Sequence, residues 1–287
     1  MLRLKFSIEL NYEIDPPDCD FIFSIHAAQT SHQAVVNESL YISQRLTSKT
    51  YTDPVTHTRF LRLKAFAGPL TVRYDATVEL DHHTAQPSQL DEVAVANLPG
   101  AVLPYIYPSR YCQSDRLYRL AAKEFGQLRQ GYGRVQAIRD WVMNHVSFLS
   151  NSSNGNTSAV DTLVEEVGVC RDFAHLMIAL CRAVNIPARF VTGIDYGADP
   201  ALGPTDFHAY VEVYLGDRWY IFDPSGVAIP MGFVRFSTGR DAADSAFATI
   251  FGDVRGTAPV MQIEAIPNMQ GVLMVPQHVP YALSTDG

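Results

Sequence analysis

Cysteine is scarce in this chain: Cys19, Cys112, Cys170 and Cys181 are the only four among 287 residues. No two form a CxxC pair, which excludes a zinc ribbon and a thioredoxin-type redox motif, and so few thiols in so long a chain do not make a disulfide framework. Lysine is scarcer than arginine, occurring only at Lys5, Lys49, Lys64 and Lys123. No Lys/Arg run exists to build a basic face, and the net charge is −8, so no nucleic-acid partner is expected. No apolar stretch approaches the roughly 18 residues of a membrane span. The start, "MLRLKFSIEL", lacks an apolar segment followed by a cleavage site, so no secretory leader is expected and a reducing, cytoplasmic compartment is. The fingerprints GxSxG, HExxH, P-loop and Rossmann are missing, as is a calcium loop. No cofactor and no required metal are therefore expected.

What remains is a chain that is 47% hydrophobic, enough for a sizeable core in one or two domains. In "LRLKFSIELNYEI" every second residue from Leu2 to Ile14 is apolar, the period of a strand with one buried face. "FIFSI" (21–25) and "VVNESLYIS" (35–43) are further strands, and "TRFLRLKAFAGPLTVRYDATVELD" reads as a hairpin turning at Gly68-Pro69. His82-His83 falls at a polar strand exit, expected as a solvated turn rather than a metal site. Residues 1–100 are thus expected to form an antiparallel β-sandwich domain, followed by a Pro-rich connector over 101–111. From 112 the period changes. Helical spacing covers 114–128 and 133–148, and a short helix capped by Ser158 or Asp161 runs up to Gly168. Trp141 reads as packing. The second half is therefore expected to be α+β, helices first and then antiparallel strands, with a weakly alternating tail over 257–287.

The chemistry concentrates in "GVCRDFAHLMIALCRAVNIPAR" (168–189). On a helix over 170–184, Phe173, Leu176, Met177, Leu180, Cys181 and Val184 make one apolar stripe, so Cys181 reads as a small buried hydrophobe. Cys170 differs. It follows Gly168-Val169 where loop turns into helix, so its sulfur meets the positive end of the helix dipole and unpaired N–H groups that favour thiolate and an oxyanion. Gly168 would let a substrate approach the backbone. A nucleophilic thiol needs a base and an orienting group. His175, about 140° around the helix from Cys170, is badly placed for this and reads as structural. Downstream, "HAYVEVYL" (208–215) and "RWYIFD" (218–223) make a hairpin turning at Gly216-Asp217. Paired residues then sum to about 433, which brings His208 and Asp223 to the same end of neighbouring strands.

These blocks, with "GRDAADSAF" (239–247) downstream, resemble the transglutaminase-like superfamily of papain-type cysteine enzymes, in its bacterial branch with a preceding β-sandwich. The match covers about 112–256 through motifs and the N-terminal domain through architecture. Asp-Pro-Ser stands where Asp-Pro-Thr is frequent. The resemblance implies an α+β fold with helices packed on an antiparallel sheet. It implies a triad in which Cys170 attacks an amide, His208 moves protons and Asp223 orients His208. The product is a thioester acyl-enzyme, resolved by water in preference to an amine. It implies a peptide or protein amide as substrate. Asn156-Thr157-Ser158 is the nearest local source of a side-chain oxyanion donor, and specificity is expected from the loops 150–158 and 195–206. The alternative is a binding or assembly module on a retained scaffold.

Overall fold

The structure is a computed structural model that describes residues 1–197 and 205–286. Strands β1 (Leu2–Ile14), β2 (Cys19–Phe23), β3 (Gln33–Ile42), β4 (Ser48–Thr52), β5 (Arg59–Ala65), β6 (Gly68–Leu80) and β7 (His83–Ala85) come first. Helices α1 (Ser114–Phe125) and α2 (Tyr132–His145), strand β8 (Ser147–Phe148), helix α3 (Ala159–Glu165), strand β9 (Val167–Gly168) and helix α4 (Cys170–Ala183) follow. The chain ends in strands β10 (Ala188–Asp195), β11 (Phe207–Leu215), β12 (Arg218–Phe222), β13 (Phe233–Gly239), β14 (Ala248–Phe251), β15 (Val254–Gly256), β16 (Val260–Ala265) and β17 (Ala282–Ser284). The class is α+β with mostly antiparallel sheets, as expected.

The alternation of β1 buries Leu2, Leu4, Phe6, Ile8, Leu10 and Ile14, which meet Leu70, Val72, Tyr74, Val78 and Leu80 of β6 and the inward residues of β2 and β5. Each such large apolar side chain contributes about 2 kcal/mol by leaving water. The expected hairpin at Gly68 is overturned. β5 pairs with β2 and β4, whereas β6 pairs with β1 and β3. Gly68, with φ 108°, passes the chain from one sheet to the other instead of folding it back. Both strands still alternate because each lines the same core from opposite sides.

The sheets also ignore the expected boundary at 256. β15 and β16 pair with β1, and β14 pairs with β2, so residues 248–265 complete the sandwich. Nor are 257–287 a free tail: β17 pairs with β7. That pairing also places His83 in a strand, where a solvated turn was expected.

The core sheet runs β12-β11-β10-β13. Helix α4 lies on it and is enclosed by α1, α2 and α3. Every residue from Asp172 to Ala183 is buried, including Ala174, Ile178 and Ala179 outside the expected stripe. A helix buried on every side lies in the interior of a layered core, and this one carries Asp172, His175 and Arg182 into it along with its apolar residues. Val234 and Phe236 of β13 reach into the sandwich core, and Gln33 bonds the Arg235 backbone in both directions at 2.8 Å. The two halves share one seam, which fixes the edge of the core sheet beside the site. Helices α1 and α2 end earlier than expected, at Phe125 and His145. Val146 is already extended, and β8 begins. Trp141 stands edge-on to Phe125 and stacks on His145.

Candidate active site

The tip of α4 is held from several directions. β8 and β9 pair in parallel, with Phe148 opposite Gly168. Glu166, in the left-handed region at φ 56°, turns the chain from α3 into β9. Inside the first turn of α4, the fully buried Asp172 accepts the Val169 N–H at 2.9 Å. This is the reciprocal half of a capping box, made without a Ser or Thr at the cap position. Arg171 clamps the same carboxylate at 3.0 Å and reaches the Asn154 carbonyl at 2.6 Å, which ties the 150–158 loop to the helix tip. A Cβ on Gly168 would lie 2.8 Å from that of Asp172, so this glycine makes room for Asp172 rather than for a substrate.

This cradle presents Cys170 at the first position of α4. Its thiol is half-buried, whereas Cys19, Cys112 and Cys181 are all buried. Burial pushes the Cys112 thiol up to about 12 and that of Cys181 higher still, so neither ionises at neutral pH.

The core hairpin has the expected register. Val211 faces Phe222 and Leu215 faces Arg218, each pair summing to 433. Both His208 and Asp223 are buried, and His208 Nε2 lies 3.5 Å from Asp223 Oδ1, close for an ion pair and long for a hydrogen bond. Asp223 is held from its other sides. Oδ1 accepts the Ser225 N–H at 3.0 Å and its hydroxyl at 2.6 Å, and Oδ2 accepts the Ala228 N–H at 3.2 Å. Burial opposes the charge of Asp223, but the His208 ring and these donors outweigh it and lower its proton affinity. Burial likewise opposes charge on His208. The Asp223 carboxylate and then the Cys170 thiol prevail, and the imidazole is held well above its ordinary value. Phe233 walls the ring at 5.1 Å between centroids. The structure therefore brings together Cys170, His208 and Asp223 from three elements.

His175 is not part of this group. It is fully buried, stacks on Tyr111 at 5.0 Å and accepts the Ala242 N–H at Nε2, 3.2 Å away. Burial drives its proton affinity down, so it is a neutral packing element, as expected. The Asn156-Thr157-Ser158 expectation weakens at Ser158, whose hydroxyl donates to Asp161 at 2.7 Å to cap α3. The Thr157 hydroxyl accepts the Asn154 N–H within the loop.

Two residues escaped the sequence reading. Gly193 pairs directly with His208, and a Cβ there would fall 2.1 Å from the Val234 carbonyl, because the register of β13 shifts at this point and its backbone closes in. Asp195, assigned to a loop, is the last residue of β10, with Oδ2 3.6 Å from His208 Nδ1. The signal was its place two residues beyond Gly193, on the face that carries His208. Of the loop 195–206 named for specificity, residues 198–204 lie outside the described residues.

Fold and site together define a class: a β-sandwich joined to a cysteine-enzyme core of papain type. The chain belongs to the transglutaminase-like superfamily. The model of that superfamily's core matches residues 119–224, and that of the bacterial transglutaminase N-terminal domain matches residues 2–101. A crystal structure from Cytophaga hutchinsonii, described as a "putative cysteine protease", is 39% identical, with 99% of this chain and 97% of that one covered at a TM-score of 0.90. An uncharacterized protein of Mycobacterium leprae is 27% identical over 64% of this chain and 68% of its own length. YebA of Bacillus subtilis is 26% identical over 62% of this chain but only 26% of its own length. Among the described residues no helix is long and apolar enough to cross a membrane.

Proposed function

We propose that this chain is a cysteine amide hydrolase that cleaves a peptide or protein amide through a thioester on Cys170. The observation that carries the reading is the His208 imidazole, buried between the Cys170 thiol and the Asp223 carboxylate and held in favour of its charged form. The proton of the Cys170 thiol passes to His208, and Sγ attacks the amide carbonyl. The oxyanion takes hydrogen bonds from N–H groups at the tip of α4, the first of which have no partner within the helix. The imidazolium returns its proton to the departing amine, leaving the thioester. His208 then takes a proton from water, which attacks the thioester and releases the acid and free thiol. Asp223 holds the ring and its charge throughout. The description of the Cytophaga protein supports the same chemistry. The four thiols are free, which supports a reducing, cytoplasmic setting.

The test is alkylation by iodoacetamide across pH, run beside a screen of peptide and amide substrates with Cys170→Ala. Because the other thiols are buried, the proper reference is the same thiol in His208→Gln. Cys170 is expected to react faster at neutral pH with His208 present, and turnover is expected to vanish in Cys170→Ala. Equal alkylation rates with and without His208 refute the pair. Primary amines added during turnover are expected to leave the product as free acid; their incorporation would instead assign a transferase.

A further inference from the structure

Asp195 is a buried carboxylate that the proposed chemistry does not use. Its side chain is only 3% exposed. Asp223 satisfies its oxygens with three donors, whereas Asp195 Oδ2 has no hydrogen-bond partner among the described residues. Buried carboxylate oxygens are normally paired, and one left open costs free energy. The cationic group that faces it is the His208 ring, at Nδ1. Since Asp223 lies against Nε2, the two carboxylates bracket one imidazole. The topology places them so: Asp195 is diagonal to His208 across the β10–β11 ladder, and Asp223 follows the opposite neighbour, β12.

We propose that Asp195 is a positioning residue of this site, a second buried carboxylate that faces Nδ1 and favours the imidazolium form of His208. The proposal rests on the Cys170–His208 reading and adds to it. Nδ1 is the nitrogen left free to exchange a proton with Cys170 once Nε2 is engaged by Asp223. A negative charge beside it stabilises the imidazolium of the resting pair and keeps His208 a strong base when water must be deprotonated. Among the described residues, the ionisable groups around the ring are Cys170 from α4, Asp223 after β12, Asp195 from β10 and Tyr210 on β11 itself. β13 supplies Phe233, while its Arg235 is turned toward Glu212 and Asp286. Asp206 also acts on Asp195, and burial raises the proton affinity of Asp195.

The experiment is an NMR titration of the His208 ring in a Cys170→Ala background, assigned with His208→Gln, with and without Asp195→Asn. A carboxylate within 4 Å is expected to matter by about one pH unit or more, so the midpoint should fall by at least that in Asp195→Asn. Asp195→Ser removes the same charge in less volume and should reproduce the fall, while Asp195→Glu should restore most of the midpoint. An unchanged midpoint in a folded Asp195→Asn or Asp195→Ser protein overturns the proposal. The two failures separate cleanly. If His208→Gln leaves Cys170 alkylation unchanged, the pair itself is wrong. If that dependence holds and the midpoint does not move, only the role of Asp195 is wrong.

Discussion

Replacing Asp223 by Asn tests the centre of this site, because the substitution keeps the shape while changing two physical terms. The first is charge. With an effective dielectric constant of about 20, unit charges at the observed 3.5 Å attract by roughly 5 kcal/mol, which acts to raise the proton affinity of His208. Desolvation of the pair offsets part of this. The second term is hydrogen bonding. The carboxylate accepts from Ser225 twice and from Ala228 once. An asparagine can accept on one side only, so in either rotamer its NH2 group faces a backbone N–H. A buried donor left without an acceptor costs about 1–3 kcal/mol. The stability loss is expected to be about 2–4 kcal/mol, measured by urea unfolding across pH. Its pH dependence is fixed in sign. His208 is raised, so its contribution is complete below its unfolded value and fades as pH climbs through the folded one. Asp223 is lowered, so its contribution is present above its unfolded value and fades as pH falls through the folded one. The difference between native and variant should therefore peak between roughly pH 4 and 6.5 and shrink on both sides. The His208 midpoint should drop and Cys170 alkylation at neutral pH should slow by tenfold or more. A folded Asp223→Asn protein with an unmoved His208 midpoint and a pH-independent stability loss would refute the pairing.

Asp172→Ala removes the acceptor for the Val169 N–H and one partner of Arg171. It should cost about 1–2 kcal/mol in urea unfolding and slow Cys170 alkylation, by loosening the tip of α4. Unchanged alkylation would show that the tip is held without it. Gly193→Ala puts a methyl group 2.1 Å from the Val234 carbonyl, so β13 must move; a loss of about 2 kcal/mol or more is expected, with activity falling further than stability accounts for. EDTA dialysis should leave turnover unchanged if the chemistry is that of thiol and imidazole alone; loss of turnover restored by a divalent ion would contradict the proposed mechanism.

How far each part of the site could be read in advance depends on the range of the interactions that make it. The β11–β12 hairpin closes through a tight turn at Gly216, and a tight turn determines register at once, so the meeting of His208 and Asp223 followed from counting residues. The start of α4 was legible because loop glycine and apolar periodicity meet there. Strand partnership is different. Alternation in β5 and β6 says which face is buried but not which neighbour each strand takes, so a sheet-switching glycine and a hairpin glycine look alike at Gly68. For the same reason nothing local in "VMQIEAI" announces that β16 will pair with β1, more than 250 residues away. Asp195 falls between these cases. Local preference puts it in the loop 195–206, since aspartate weakens a strand prediction, whereas it is the last residue of β10. The residues that extend β10 past Gly193 are held there by β11 on one side and β13 on the other. A strand prolonged by its neighbours into an aspartate, at the point where that aspartate becomes buried beside a histidine, departs from local preference. Such departures concentrate where a fold serves chemistry rather than stability, which is an independent reason to look for function at Asp195.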